Sequence, residues 1–224
     1  MGSSVTGVGV LDKAVDVLDA LEQRPRSLAE LVATTGLPRA TAHRLATALE
    51  AHGLVRRDGD GRFALGSRLL ELGRSATETW PLATAAEPAL VALRDVTAES
   101  AQLFVRDGAE RVCIVALQSP HGLRTIVPLG ARLPLGVGSA GRVLADENAV
   151  DGGAVGGWQE SVEEREAGVA SVSAPVCDAQ GRVVAAVSVS GPVERTSRHP
   201  GEKYGEAVVA AARRIEVDAG LRTP

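Results

Sequence analysis

Apolar residues recur at helical spacing through Val10, Leu11, Ala14, Val15, Leu18 and Leu21, with acidic residues between them, so the chain opens on an amphipathic helix. SLAELVATTG then reads as a second helix. Ser27 and Glu30 form an S-x-x-E capping box, and Gly36 is placed to end the helix in a left-handed conformation. Leu37 and Pro38 restart the chain, because the amide that proline lacks has no partner in a first helical turn. The third helix, about 38 to 52, turns Ala42, Leu45, Ala46 and Leu49 inward. Arg39, His43 and Thr47 lie one turn apart on its opposite side, with Ala40, Thr41 and Arg44 beside them. A hairpin follows, with Val55, Phe63 and Leu65 on its buried side, Asp58-Gly59-Asp60-Gly61 as its turn, and Arg56, Arg57 and Arg62 around it. Residues 27–62 therefore read as a winged helix-turn-helix.

Beyond the hairpin, 67–79 forms a linker helix with Leu69, Leu70 and Leu72 as its apolar content. Trp80-Pro81 breaks it, since a residue before proline disfavours helical angles. A further helix spans 82–96. From Ser100 the period becomes extended: AQLFVRD, RVCIVALQ and LRTIVPLG read as three strands, and SVSAPVCD and RVVAAVSVS as two more. Helices around 141–145 and 203–219 complete an α+β unit with a mainly antiparallel sheet. The expected organisation is a winged helix-turn-helix over 1–66, a linker helix over 67–80 and a second domain over 81–224.

Side chains near the start of a recognition helix reach base edges in the major groove, and a basic hairpin beside it contacts phosphate. The DNA-contact candidates are thus Arg39, Ala40, Thr41, His43, Arg44 and Thr47 on the helix, and Arg56, Arg57 and Arg62 on the hairpin. Taken alone, the helix reads equally as a solvated amphipathic surface; the arginine-rich hairpin favours duplex DNA. The formal charge of the whole chain is −4. From Arg24 to Arg62, seven basic residues stand against four acidic ones, so any footprint on DNA is local and salt-sensitive. A winged helix serving only protein interaction is the competing class.

Composition narrows the rest. With 45% hydrophobic and 2% aromatic residues, the cores must be built from Val, Leu and Ala. Cys113 and Cys177 fit no metal spacing and read as buried thiols of a cytoplasmic protein. No apolar run approaches the roughly 18 residues of a membrane span, and no secretion signal is evident. The loose myristoylation match at Met1-Gly2-Ser3-Ser4-Val5-Thr6 is taken as chance. Gly136-Val137-Gly138-Ser139-Ala140-Gly141 is a literal G-x-G-x-x-G, which would mark a dinucleotide enzyme. The parallel strand and the acidic residue that this motif requires are missing, so neither catalysis nor a cofactor is expected. His121 and His199 read as surface residues rather than metal ligands. Ser161 and Glu164 form a second S-x-x-E box and read as a helix cap.

Several segments together carry a family resemblance: VLDKAVDVLDALE, the stretch from L-x-x-L-V to T-G-L-P-R-A-T-A-H-R-L, LPLGVGSAGRVLA, and GVASVSAPVCDAQGRVVAAVSVSGP. The chain resembles the isocitrate-lyase-regulator (IclR) family of bacterial transcription regulators, nearest the actinobacterial branch associated with leucine and other amino-acid biosynthetic genes. The resemblance implies a winged helix-turn-helix that binds a palindromic operator as a homodimer or dimer of dimers, and a GAF-like effector domain that binds a small carboxylate metabolite. By motif, the effector site would use the amides of Ser139 and Ala140, the position of Ser171, and the hydroxyls of Ser188 and Ser190. Free amides at a helix start favour a carboxylate, and serines two apart on a strand share a face. An edge strand with those serines in solvent is the alternative. The chain departs from the family in a short, glycine-rich DENAVDGGAVGGWQESVEEREAG where a longer insert helps to close the pocket, and in Ala40, which replaces a hydroxyl.

Overall fold

The computed structural model describes residues 8–145 and 157–222. The N-terminal hexapeptide and the first eleven residues of the glycine-rich stretch, 146–156, lie outside them. The chain divides into two compact units, Met1–Ala76 and Thr77–Pro224.

In the first unit, α1 (Gly9–Leu21), α2 (Leu28–Thr35) and α3 (Arg39–Ala51) enclose a core of Val17, Leu21, Leu31, Ala42, Ala46 and Leu49. The hairpin β1 (Val55–Arg57) and β2 (Phe63–Leu65) adds Val55 and Phe63 to it. Both reciprocal bonds of the capping box form: Ser27 Oγ accepts from the Glu30 amide at 3.3 Å, and the Glu30 carboxylate from the Ser27 amide at 2.8 Å. Gly36 ends α2 at φ 68°, in the left-handed region that costs glycine nothing. Pro38 takes the N-cap position of α3 rather than its first turn, and its φ of −55° already suits the helix it precedes. The Asp58 carboxylate accepts from the amides of Asp60 and Arg62, which closes the hairpin turn locally.

One expectation for this unit is corrected. Of the apolar stripe read on the first helix, Leu21 is buried, joined by Val17 and Ala20, and Ala14 and Leu18 pack half-buried against the core; Val10, Leu11 and Val15 are exposed. Val10 lies two turns before Val17 on the same face, and Leu11 and Val15 occupy the adjacent face.

The Ser27 amide first, and then Arg24, holds the Glu30 carboxyl at about 2, down from 4.5. A depressed carboxyl stabilises the fold above its ordinary value and loses that contribution as pH falls toward the folded one. The window here is therefore about 4.5 down to 2. Glu30→Gln keeps a capping side chain without the titration, so circular dichroism should show a shallower loss of helix across that range than in the wild type. Identical acid limbs would contradict it.

The second unit begins at Thr77, within the last turn of α4 (Arg68–Glu78), a helix that buries none of its residues. The unit's strands among the described residues are β3 (Ser100–Asp107), β4 (Glu110–Leu117), β5 (Arg132–Pro134), β6 (Gln159–Val162), β7 (Val169–Cys177) and β8 (Val183–Pro192). They run in the order β5-β4-β3-β8-β7-β6, every pairing antiparallel. Side chains alternate faces along each strand. One face, with Leu103, Val105, Val172, Val176, Val187 and Val189, packs beneath α5 (Pro81–Thr97) and α8 (Pro200–Asp218). The other carries Phe104, Cys113 and Ala186 toward α6 (Gly138–Ala145). Cys113 and Cys177 are buried free thiols, and burial pushes Cys113 up to about 12, far from reactivity.

The sheet differs from the sequence reading in two places. LRTIVPLG is not a strand: Leu123, Ile126 and Leu129 are exposed, Val127 packs against α6, and Pro128 has no amide to give a ladder. The third strand is instead the short β5, and β4 is further bridged by Ala131 to Cys113. β6, which the sequence reading missed, occupies the far edge.

Candidate functional site

In the first unit, the outer side of α3 presents Arg39, Ala40, His43, Arg44 and Thr47 to solvent, with Thr41 half-buried. Among the described residues no side chain pairs with Arg39, His43 or Arg44, so their donors are available to a ligand. Arg56 and Arg62 are exposed and similarly unengaged on the hairpin. Arg57 differs. Its guanidinium lies 4.2 Å from the centre of the Phe63 ring, donates to the Gly61 carbonyl at 3.2 Å and reaches Glu50 of α3 at 3.4 Å. It ties the hairpin to α3 and has less freedom to follow a phosphate. Arg26 completes the platform by exchanging both backbone hydrogen bonds with Phe63, at 2.8 Å each.

In the second unit, antiparallel register gathers the predicted serines. Ser171 pairs with Ser190 and Ser173 with Ser188 across β7 and β8, while Gln102 of β3 pairs with Ser188. β8 lies between β3 and β7 and buries both its serines, which rules out a solvated edge strand. All face the N-terminal end of α6. Ser139, Ala140, Ser171, Ser188 and Ser190 indeed line one cavity, together with Gln102, Arg111, Ser161, Glu164 and Arg165, none of which the sequence reading placed there.

The cavity is nearly full. Ser139 Oγ lies 2.7 Å from both Ser171 Oγ and Ser173 Oγ, Ser173 Oγ donates to Ser188 Oγ at 2.8 Å, and Ser190 Oγ donates to Gln102 Oε1 at 3.2 Å. The Ser139 amide, expected to be free, donates to Ser161 Oγ at 3.2 Å, and the Gly138 amide donates to the Glu164 carboxylate at 3.0 Å. The reading of Ser161 and Glu164 as a local cap is therefore corrected. Ser161 sits in a strand, and Glu164 caps a helix twenty-six positions earlier in the chain. Burial opposes ionisation of Glu164, but hydrogen bonds from Arg142 and the Gly138 amide outweigh it and hold the carboxyl below its usual range. About 30 Å³ of space remains, enough for one or two waters.

The same region explains the G-x-G-x-x-G. Gly136 and Gly138 have φ of 78° and 74°, and a Cβ on Gly141 would stand 2.3 Å from Arg111 Nη1. Gly141 therefore accommodates an arginine rather than a pyrophosphate, and a Cβ on Gly138 would stand 3.6 Å from the same guanidinium. Arg111 is 3% exposed; its Nη1 donates to the Pro134 and Val137 carbonyls, and its Nε has no partner. Burial, with the charge of Arg165 nearby, lowers the guanidinium to about 10. No local sequence signal marks Arg111; the legible hints of the site were the helix start at Ser139 and Ala140 and the serine alternation in the β7 and β8 segments.

No helix among the described residues is long and apolar enough to cross a membrane. Residues 10–59 match the IclR helix-turn-helix domain, and residues 74–152 and 153–217 match the bacterial transcriptional regulator IclR C-terminal domain. The chain is 30% identical over 216 residues to the glycerol operon regulatory protein of Streptomyces griseus, covering 83% of this chain and 85% of the relative. It is 25% identical over 227 residues to the transcriptional repressor IclR of Escherichia coli, covering 87% and 83% respectively. An IclR homolog from Microbacterium hydrocarbonoxydans, solved in complex with 4-hydroxybenzoate, superposes with a TM-score of 0.79 at 23% identity, over 95% of this chain and 100% of that one. With both of its units matched, this chain belongs to the IclR family of DNA-binding bacterial transcriptional regulators.

Proposed function

We propose that this protein is a cytoplasmic repressor of metabolic genes, reading a palindromic operator through α3 and the hairpin and responding to a small carboxylate in the second unit. The observation that carries the first half is the unpaired cationic side of α3 flanked by Arg56 and Arg62. A homodimer or dimer of dimers is supported by exposed apolar side chains on both helices that flank the winged unit: Val10, Leu11 and Val15 on α1, Leu70 and Leu72 on α4. A two-fold oligomer presents two recognition helices and so favours a palindromic site. Repression is supported by the relative from Escherichia coli, a small organic acid by the 4-hydroxybenzoate complex of the Microbacterium homolog, and amino-acid biosynthetic targets by the motif resemblance to the actinobacterial branch.

Gel shifts on DNA upstream of the protein's own gene test this directly. Arg44→Ala should cost on the order of 1 to 3 kcal/mol if it contacts a base, with relaxed preference at that position. Arg56→Ala should weaken operator and random DNA alike and reduce the salt slope by about one, as loss of a phosphate contact does. Equal binding of operator and random DNA by all three proteins would sink the reading.

A second reading has its own observation. A cavity of about 30 Å³ is an order of magnitude below the few hundred that ligand pockets offer. A regulator that works by oligomerisation or protein contact, without an effector, is consistent with a pocket already filled by its own side chains.

A further inference from the structure

The filled pocket contains one charge without an answer. Glu164 is matched by Arg142, and Glu166 lies 3.7 Å from Arg165, but Arg111 has no carboxylate partner among the described residues although it is 3% exposed and leaves Nε unsatisfied. A buried cation without a counter-ion is costly, and fold stability alone would favour an apolar residue there. Arg111 packs against Gly138, whose amide is occupied by the Glu164 carboxylate. That carboxylate belongs to a short, partly exposed turn between β6 and β7, so it can leave without dismantling the sheet.

We propose that the pocket is held shut by its own carboxylate, Glu164, and that a small anionic effector binds by exchange: its carboxylate replaces Glu164 on the Gly138 amide and becomes the counter-ion of Arg111. The inference rests on the effector reading above and deepens it. Glu164 is the internal competitor, and Arg111 is the residue that selects an anion over a neutral isostere. The cavity is small because the latch is closed, and displacement of the Glu164 side chain supplies the missing volume. A neutral ligand would leave Arg111 unpaired and could not outbid a carboxylate for the helix start.

Chemical rescue tests the exchange in the full-length protein without knowledge of the natural ligand. Glu164→Ala removes the carboxylate and its Cγ while keeping Cβ, and propionate supplies a carboxylate of similar reach from solution. Calorimetry should show propionate binding to Glu164→Ala at least about tenfold tighter than to the wild type, because the competitor is gone. Propionamide should bind neither. Adding Arg111→Met should weaken propionate about tenfold or more, the usual worth of a charge-assisted contact. Inorganic phosphate in a parallel arm shows whether any anion suffices or a carboxylate is required. Glu164→Gln preserves the shape and removes the charge. It should give an intermediate propionate affinity and guards against a fold lost in the alanine variant. Equal binding of propionate and propionamide, no propionate binding to either variant, or propionate affinity indifferent to Arg111→Met would overturn the proposal. Operator gel shifts separate it from the broader reading. Arg111-dependent propionate binding without change in DNA affinity would uphold the exchange and refute the effector role. Release of DNA by a neutral metabolite would do the reverse.

Discussion

Phe63→Ala should abolish operator binding while leaving the second unit folded. Phe63 is 1% exposed and belongs both to the core of the first unit and to the hairpin. Its backbone exchanges two hydrogen bonds with Arg26, and its ring carries the Arg57 guanidinium that reaches Glu50. Truncating a buried phenylalanine costs about 3 to 5 kcal/mol, and a small domain has a total stability of about 5 to 15. The aromatic set of the whole chain is five residues, so no neighbouring ring can close the void. Hydrogen exchange should show protection lost across α1 to β2 and retained in β3, β7 and β8, with gel shifts reporting the loss of DNA affinity. Full protection of α3 in the variant would show that this core does not depend on the hairpin ring.

A comparable loss is expected in the second unit from Arg195→Met. Arg195 Nε and Nη2 bond the two oxygens of Glu99 at 2.7 and 2.8 Å, a bidentate pair whose acidic partner is almost wholly buried. The Glu99 carboxylate lies against Gly191, where a Cβ would stand 2.3 Å from it, so it has no room to turn toward water. Removing the arginine leaves a buried charge uncompensated, at a cost of about 3 to 5 kcal/mol, whereas replacing both partners by apolar groups is often nearly neutral. Denaturant unfolding should therefore show Arg195→Met strongly destabilised and Glu99→Met/Arg195→Met largely recovered. If the double variant is as unstable as the single one, packing rather than charge explains the position.

These two sites also show where sequence reading succeeds and where it stops. Phe63 was legible: it opens the second strand of a hairpin whose turn residues and alternation are local. Arg195 and Glu99 are ninety-six positions apart, and nothing near either one announces the other. Arg111 was invisible for the same reason. It is one of twenty-four basic residues until the fold seats it against Gly138 and Gly141. The exposed Leu11 and Val15 show a subtler limit: periodicity reveals that a face is apolar, not which partner covers it.

The sequence by itself determined the helix-turn-helix, the wing and the antiparallel class of the second unit. The signals for these, a capping box, a left-handed glycine, an Asp-Gly turn and a change of period, act within a few residues of where they are written. Tertiary structure alone decided what the pocket is. Register across β3, β8 and β7 brought the serines to one face, and the β6–β7 turn placed Glu164 on the start of α6. The same S-x-x-E pattern that caps its own helix at Ser27 caps a distant one at Glu164. A carboxylate binds whichever free amides the fold brings to it, and chain distance does not enter that energy.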